Sequence, residues 1–298
     1  MKPSYVLVTP VKDEASFIGA TIRAVASQTI RPIEWVIVSD GSTDGTESIV
    51  ADAARSHPWI RLVALPSRSG RDFAAVVENI HLGVRALNTT DYEYLGLLDG
   101  DVDLASNYYE TLIGRMRGSP RLGLCGGVVV DKGEARHRAP LNRQDVPGAV
   151  QFFTRQCFES IGELIAIPEG GWDCLTCVVA RMRGFDTQLY LDLVVDHLKP
   201  RSAFAGGALQ RRWLAGERDY ALGYPAEFEF MKCIARVAEA PMLIGALATW
   251  LGFCAALLSR RRRTVPAEVL RYLRSERRAR FLSCPNPLGT IRGSRGPQ

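Results

Sequence analysis

Over the first hundred residues, four short apolar runs alternate with segments of helical periodicity, and this alternation limits the fold more than any other feature of the chain. Residues 5–9 (Tyr-Val-Leu-Val-Thr, closed by Pro10), Trp35–Val38, "IRLVAL" at 60–65 and "YEYLGLLD" at 92–99 read as strands. Between them "ASFIGATIRAVASQT", with Asp13 or Ser16 as its cap, Thr46–Ser56 and "RDFAAVVENIHLGVRAL" read as helices. Strands that alternate with helices imply right-handed crossovers and a parallel sheet, whose ligands sit beyond the carboxyl ends of the strands. Residues 9–13, 40–44, 66–71 and 99–103 are therefore expected along one sheet edge.

The last of these loops carries "LLDGDVDL", with three carboxylates, Asp99, Asp101 and Asp103, within five residues. Carboxylates one residue apart on extended backbone project to the same side and raise each other's proton affinity unless a cation lies between them. Mg²⁺ or Mn²⁺ suits such oxygens, and Mg²⁺ is usually held by one or two carboxylates together with substrate phosphates. An acidic turn after a strand is the alternative, and the convergence of three other polar loops on the same edge weighs against it.

Composition removes other classes. The 298 residues are 47% hydrophobic and 23% charged, enough for one large domain or one and a half ordinary ones. The net charge of +5 is terminal: residues 260–298 hold eleven Arg against Glu268 and Glu276, leaving 26 basic and 30 acidic residues before them. No nucleic-acid-binding motif accompanies that charge, so no nucleic acid is expected as partner. Seven scattered Cys fit reduced thiols, Cys174-x-x-Cys177 lacks a second pair, and the opening "MKPSYVLVTPVKDE" has no export pattern, which points to the cytoplasm.

The stretches "VLVTPVKDEASFIGATIRAVASQT" and "EWVIVSDGSTDGT", with Asp99-Gly100-Asp101 as an Asp-x-Asp motif, resemble the family 2 glycosyltransferases over residues 4 to about 205. The resemblance implies the GT-A, Rossmann-like fold, a mixed but mostly parallel α/β sheet flanked by helices. It also implies metal-dependent, inverting transfer of a sugar from a nucleotide-diphospho-sugar donor. On that resemblance Thr9, Pro10, Glu14, Asp40, Arg71 and Asp99 bind the donor, Asp101 and Asp99 hold the divalent metal with His197 of "DLVVDHLKP", and Asp103 ranks below them as a turn cap. After "LGLCGGVVV", a strand, and "RQCFESIGEL", a helix, comes "PEGGWD". Asp173 stands where the family places its catalytic base, next to Trp172, with Glu169 as competitor and a helix-capping role as the plainer reading of Asp173.

"QRRW" at 210–213 is one residue shorter than the signature of processive synthases, so single-sugar transfer is expected, with Arg211, Arg212 and a flexible "LAGERDYALGYP" closing over a substrate. Residues 240–258 hold no charge over 19 positions, just long enough for one membrane span. A single crossing would separate the catalytic domain from the Arg-rich tail, so the expectation is a shallowly inserted helix on the cytoplasmic face of the membrane, with the tail on anionic headgroups. The competing reading buries the helix against the body or a second subunit, and the stripe Gly245, Ala248, Gly252, Ala255 suits close packing in lipid or in a homodimer. The expected organisation is a catalytic domain over 1–225, an apolar helical segment over 226–259 and a basic tail over 260–298. The leading functional reading is transfer to a hydroxyl of a lipid-linked saccharide acceptor in cell-surface or exopolysaccharide synthesis. Its alternatives are a sugar nucleotidyltransferase, which "TPVKDEASF" disfavours for want of glycine, and a non-catalytic sugar-nucleotide-binding protein.

Overall fold

The computed structural model describes residues 3–67, 73–132, 142–199, 207–261 and 263–283, and two compact units divide them. The first comprises residues 1–166 and 172–203, the second 167–171 and 204–298. The first unit is built on one sheet of eight strands: β1 (Tyr5–Val11), β2 (Glu34–Asp40), β3 (Ile60–Leu65), β4 (Tyr94–Leu97), β5 (Val102–Asp103), β6 (Leu122–Asp131), β7 (Phe152–Thr154) and β8 (Asp186–His197). Their spatial order is β3-β2-β1-β4-β7-β6-β8-β5. The pairs β1–β2, β2–β3, β1–β4 and β6–β8 are parallel, while β7 runs antiparallel between β4 and β6, and β5 antiparallel along β8. All seven positions of β2 are buried, as a strand covered on both faces requires.

Six helices belong to this unit among the described residues: α1 (Ile18–Ala26), α2 (Thr46–Ser56), α3 (Phe73–Arg85), α4 (Tyr108–Arg117), α5 (Arg155–Ile161) and α6 (Trp172–Met182). On one face of the sheet Tyr5, Leu7, Trp35 and Ile37 share a core with Ile18, Ile22 and Val25 of α1 and Leu112 of α4. On the other, α3 comes so near that a Cβ added at Gly83 would lie 2.4 Å from Val8.

Local details depart from the sequence reading. Pro10 does not end β1, because the strand pairs onward with β2 through Val11. The β4 side of β1 is paired only as far as Val8, so the missing N–H of Pro10 falls where no ladder needs it. Neither Asp13 nor Ser16 caps α1, whose N-cap is Phe17 without a side-chain bond. Among the described residues Asp103 makes no capping bond either; it is exposed on β5, opposite Asp196 of β8.

The second unit contains α7 (Ala208–Ala221), α8 (Ala226–Ala235), α9 (Ile244–Leu258) and α10 (Ala267–Ser283). The segment expected as a flexible closing loop is mostly α7. It packs along α9 at glycines: a Cβ on Gly216 would lie 1.9 Å from the Thr249 carbonyl oxygen, and one on Gly252 would lie 2.2 Å from that of Trp213. The small residues of α9 thus serve contact within the chain, with Gly245 and Gly252 buried and Ala248 and Ala255 partly exposed. Among the described residues no helix is long and apolar enough to cross a membrane.

Candidate active site

The carboxyl ends of β1 and β2 are tied to each other before they meet a ligand. Asp13, at φ 54°, accepts from the Thr43 N–H at 2.8 Å, while its own N–H donates to Ser42 Oγ at 3.1 Å. The N–H of Glu14 donates to Thr46 Oγ1 (2.8 Å) and that of Ala15 to Asp44 Oδ2 (2.9 Å). The "DGSTDGT" turn is therefore held against the loop after β1, and Gly41 is required in it because a side chain there would meet the Ser67 backbone at 2.2 Å.

Within this frame Asp40 ends β2 with Oδ2 3.7 Å from Lys12 Nζ and with Oδ1 buried and, among the described residues, without a hydrogen-bond donor. An acceptor in that condition suits a donor group arriving with a ligand. Glu14 is nearly buried and accepts from Lys199 Nζ at 2.6 Å, which draws the loop after β8 to the loop after β1. Pro10 is partly buried at the end of β1. Thr9 lies at the same end, but its hydroxyl accepts from the Trp35 indole N–H (2.9 Å) and is fully buried, so it braces the core and offers no side-chain contact to a ligand. Arg71 lies outside the described residues.

The Asp99-Gly100-Asp101 turn leaves β4 and is pinned by Thr21 of α1, whose hydroxyl is 2.9 and 2.8 Å from the Gly100 and Val102 carbonyls and accepts from the Val102 N–H at 3.1 Å. Asp101 Oδ2 is 3.2 Å from Nε2 of His197, the last residue of β8, and Asp131 Oδ1, from the end of β6, is 3.3 Å from Nδ1 of the same ring. The hydrogen bond to Asp101, followed by the charges of Asp101, Asp131 and Asp99, raises His197 above the ordinary imidazole range. Burial and then the Asp101 charge, with smaller contributions from Glu14 and Asp173, push Asp99 up to about 7 against the opposing pull of His197.

A divalent ion fits this donor set, since its charge would offset both the burial and the Asp101 repulsion that raise Asp99. Asp101 and His197, 3.2 Å apart, would hold it, with Asp99 close enough to feel the charge of both. Among the described residues no group of three His, Cys, Asp or Glu side chains is arranged to hold a metal ion.

Asp173 lies in the first turn of α6 and acts on its charge field, being one of the carboxylates that raise Asp99. Its Oδ2 accepts from the N–H of Gly148 (3.1 Å) and its Oδ1 from the N–H of Cys174 (2.9 Å). Gly148 opens a short 3₁₀ turn (Gly148–Val150) against Trp172, whose ring would stand 2.7 Å from any Cβ there. Gln151 Nε2 donates to the Asp173 carbonyl at 3.1 Å and so fixes the backbone of the same turn. Glu169, the competing carboxylate, belongs to the short segment grouped with the second unit. Cys177 is buried and accepts from the Val146 N–H (3.3 Å), a structural role.

The model of glycosyl transferase family 2 matches residues 6–172 of this chain. The chain belongs to that family. Over 100 residues it is 33% identical to TuaG of Bacillus subtilis (strain 168), named as a teichuronic acid biosynthesis glycosyltransferase, and the match covers 34% of this chain and 36% of that protein. The chain thus spans about a third of the length of that relative. Among solved structures it is similar to the mannosyltransferase PcManGT from Pyrobaculum calidifontis in complex with GDP-Man and Mn²⁺, at a TM-score of 0.58 and 19% identity over 97% of this chain and 84% of that one. It is also similar to S. aureus TarS 1–349 in complex with UDP-GlcNAc, at a TM-score of 0.54 and 11% identity over 86% and 73% of the two chains. These two structures share the GT-A fold with this chain.

Asp131 and Thr21 had no part in the motif-based reading of this site. Asp131 follows "LGLCGGVVV", and the rule that ligands meet the carboxyl ends of parallel strands would have found it had it been applied to the second half of the sheet. Thr21 left no local signal.

Proposed function

We propose that the chain is an inverting glycosyltransferase that moves a sugar from a nucleotide-diphospho-sugar to a hydroxyl of a saccharide acceptor, in cell-surface or exopolysaccharide synthesis. The observation that supports this reading is the contact of Asp101 with His197 beside Asp99 at the carboxyl edge of the sheet, together with Asp173, whose charge reaches Asp99 and whose carboxylate is held by the Gly148 N–H. A metal such as Mn²⁺, present in the mannosyltransferase complex, would neutralise the diphosphate as it leaves.

In this mechanism Asp40 accepts a hydrogen bond from the base or ribose, and Lys12 stands beside it as a cation. Asp173 takes the proton of the acceptor hydroxyl while that oxygen forms its bond to the anomeric carbon. The bond from that carbon to the diphosphate breaks on the opposite face, the nucleoside diphosphate departs, and the configuration inverts. Trp172, nearly buried beside the base, limits water there and so limits hydrolysis of the donor.

The relation to an enzyme named for teichuronic acid supports a cell-envelope polysaccharide, and a lipid-linked acceptor would bring the enzyme to the cytoplasmic face of the membrane. The apolar α9, with Arg260 and Arg261 exposed just beyond it, supports association with that surface. The test is release of nucleoside diphosphate from a panel of sugar nucleotides with Mn²⁺, with Mg²⁺ and with chelator. Asp101→Ala should abolish metal-dependent donor binding, and unchanged calorimetric affinity with and without chelator would refute the metal assignment.

A further inference from the structure

The second unit contains a cavity of about 290 Å³ that the glycosyl-transfer chemistry does not use. Its walls bring together the end of α9 (Phe253 and Leu257), the start of α8 (Pro225–Glu227) and the cations Arg263, Arg274 and Arg278. Three guanidiniums face a single carboxylate, because among the charged residues that line the cavity only Glu227 is acidic.

The arginines are placed but not spent. Arg263 donates through Nε to the Tyr220 carbonyl (3.0 Å) and stacks on the Tyr220 ring at 4.1 Å, and Arg274 donates through Nε to the Gly223 carbonyl (3.1 Å). Among the described residues, the terminal amino groups of both guanidiniums make no hydrogen bond. Arg278 pairs with Glu227 at 3.3 Å, with both side chains exposed. The same wall includes the first turn of α8, whose N-cap is Pro225 and which has no side-chain cap, so its amide end adds positive potential to that of the arginines. Paired N–H donors in a planar fork match the oxygens of a phosphate.

The opposite wall is apolar and continues outside. The buried side of α9 is Gly245, Ala246, Thr249, Gly252, Phe253 and Ala256, and the diametrically opposed side shows Ile244, Leu247, Leu251 and Leu258 to solvent, between 47% and 81% exposed. Leu257, itself 44% exposed, belongs both to the cavity and to the end of this surface. Fifteen residues extend only about 22 Å, short of a hydrocarbon core of about 30 Å. Because α7 is in backbone contact with the other side of α9, the helix is suited to lie in the interface and unsuited to cross it.

We propose that the cavity lined by Arg263, Arg274 and Arg278 receives the phosphate of an anionic membrane phospholipid whose acyl chains lie along the exposed side of α9. This rests on the membrane association proposed above and names its lipid chemistry.

Two probes separate the two claims. Vesicles of phosphatidylcholine, with and without phosphatidic acid, test the surface by co-sedimentation. Monomeric dihexanoyl phosphatidic acid tests the cavity by calorimetry, with inorganic phosphate as the free-anion control. Wild-type protein should sediment with the phosphatidic acid vesicles and bind the short-chain lipid more tightly than phosphate. Arg274→Gln should weaken short-chain lipid binding about tenfold or more, the loss of one or two charged hydrogen bonds. Arg278→Gln repeats this test at an exposed side chain where folding is not at stake, and Glu227→Gln, which removes the competing carboxylate, should tighten binding. Leu247→Asp should abolish sedimentation and leave binding of the monomeric lipid unchanged. Equal affinity for inorganic phosphate and the short-chain lipid, or short-chain lipid affinity unmoved by all three cavity substitutions, overturns the lipid site. Wild-type protein that binds the short-chain lipid but sediments with neither vesicle overturns the membrane association alone.

Discussion

Asp99→Asn should make the metal-free protein more stable while removing its response to metal and donor. An ordinary aspartate titrates near 3.8, whereas burial and the Asp101 charge hold Asp99 at about 7, a gap equivalent to about 4 kcal/mol. Partial exposure of the side chain allows water to screen this, so about 2 kcal/mol is the expected gain, or about 4–8 °C in Tm for a unit of this size. The sign follows from proton binding. Between the two pKa values the folded state holds the proton that the unfolded state releases, so wild-type stability falls as pH rises through that window, and the full penalty is present above about 7. The advantage of the amide variant should therefore be negligible below pH 4, grow through pH 5 and 6, and level off above 7. Thermal melts with chelator at pH 4, 6 and 8 measure it, and a parallel series with Mn²⁺ and nucleoside diphosphate should raise the wild-type Tm but not that of the variant. A variant no more stable than wild type at pH 8, or a difference that is the same at pH 4 and 8, would refute the electrostatic account.

Other substitutions test the remaining roles. Asp173→Asn keeps the shape of the base but cannot accept the proton, so donor affinity should stay near wild type while transfer falls about 10²- to 10⁴-fold; transfer at the wild-type rate would move the role to Glu169 or another carboxylate. Gly148→Ala would press on Trp172 and on Asp173 Cβ, 3.2 Å from the added methyl, and should lower kcat about tenfold or more with little change in donor KM; a kcat equal to that of wild type would show that the turn does not position the base. Asp131→Asn should raise the Mn²⁺ concentration for half-activity about 10- to 100-fold by loosening His197, and superimposable metal titrations would remove Asp131 from the site.

What could be read from the sequence was what is encoded locally. β3 has the bounds of its apolar run, and α2 lies where the segment between two turns is expected to be helical. The edge location of Asp40, Asp99 and Asp101 followed from strand–helix alternation alone. Pairings that depend on distant segments could not be read. The contact of Asp131 with His197 arises from β6–β8 register, and the occupation of Thr9 by Trp35 depends on which side chain of β1 faces which core. Glycine misled in α7: the sequence around Gly216 looks like a mobile loop, yet the missing side chain is what lets another helix backbone approach.

The two-residue strand β5 also bears on the order of folding. Asp101 leaves the middle of the sheet on β4, but Val102 is paired with His197 at the far edge, nearly a hundred residues later in the chain. Both aspartates can be synthesised, and β1 to β4 assembled, while the partner that aims Asp101 is still absent. Contacts of such sequence separation form late, after their loop-closure cost has been met. Recovery of Mn²⁺ binding during refolding should therefore follow the slowest phase and lag behind the return of helical signal. A chain truncated before β8 should display the Asp-x-Asp sequence yet hold the ion no better than a flexible peptide does.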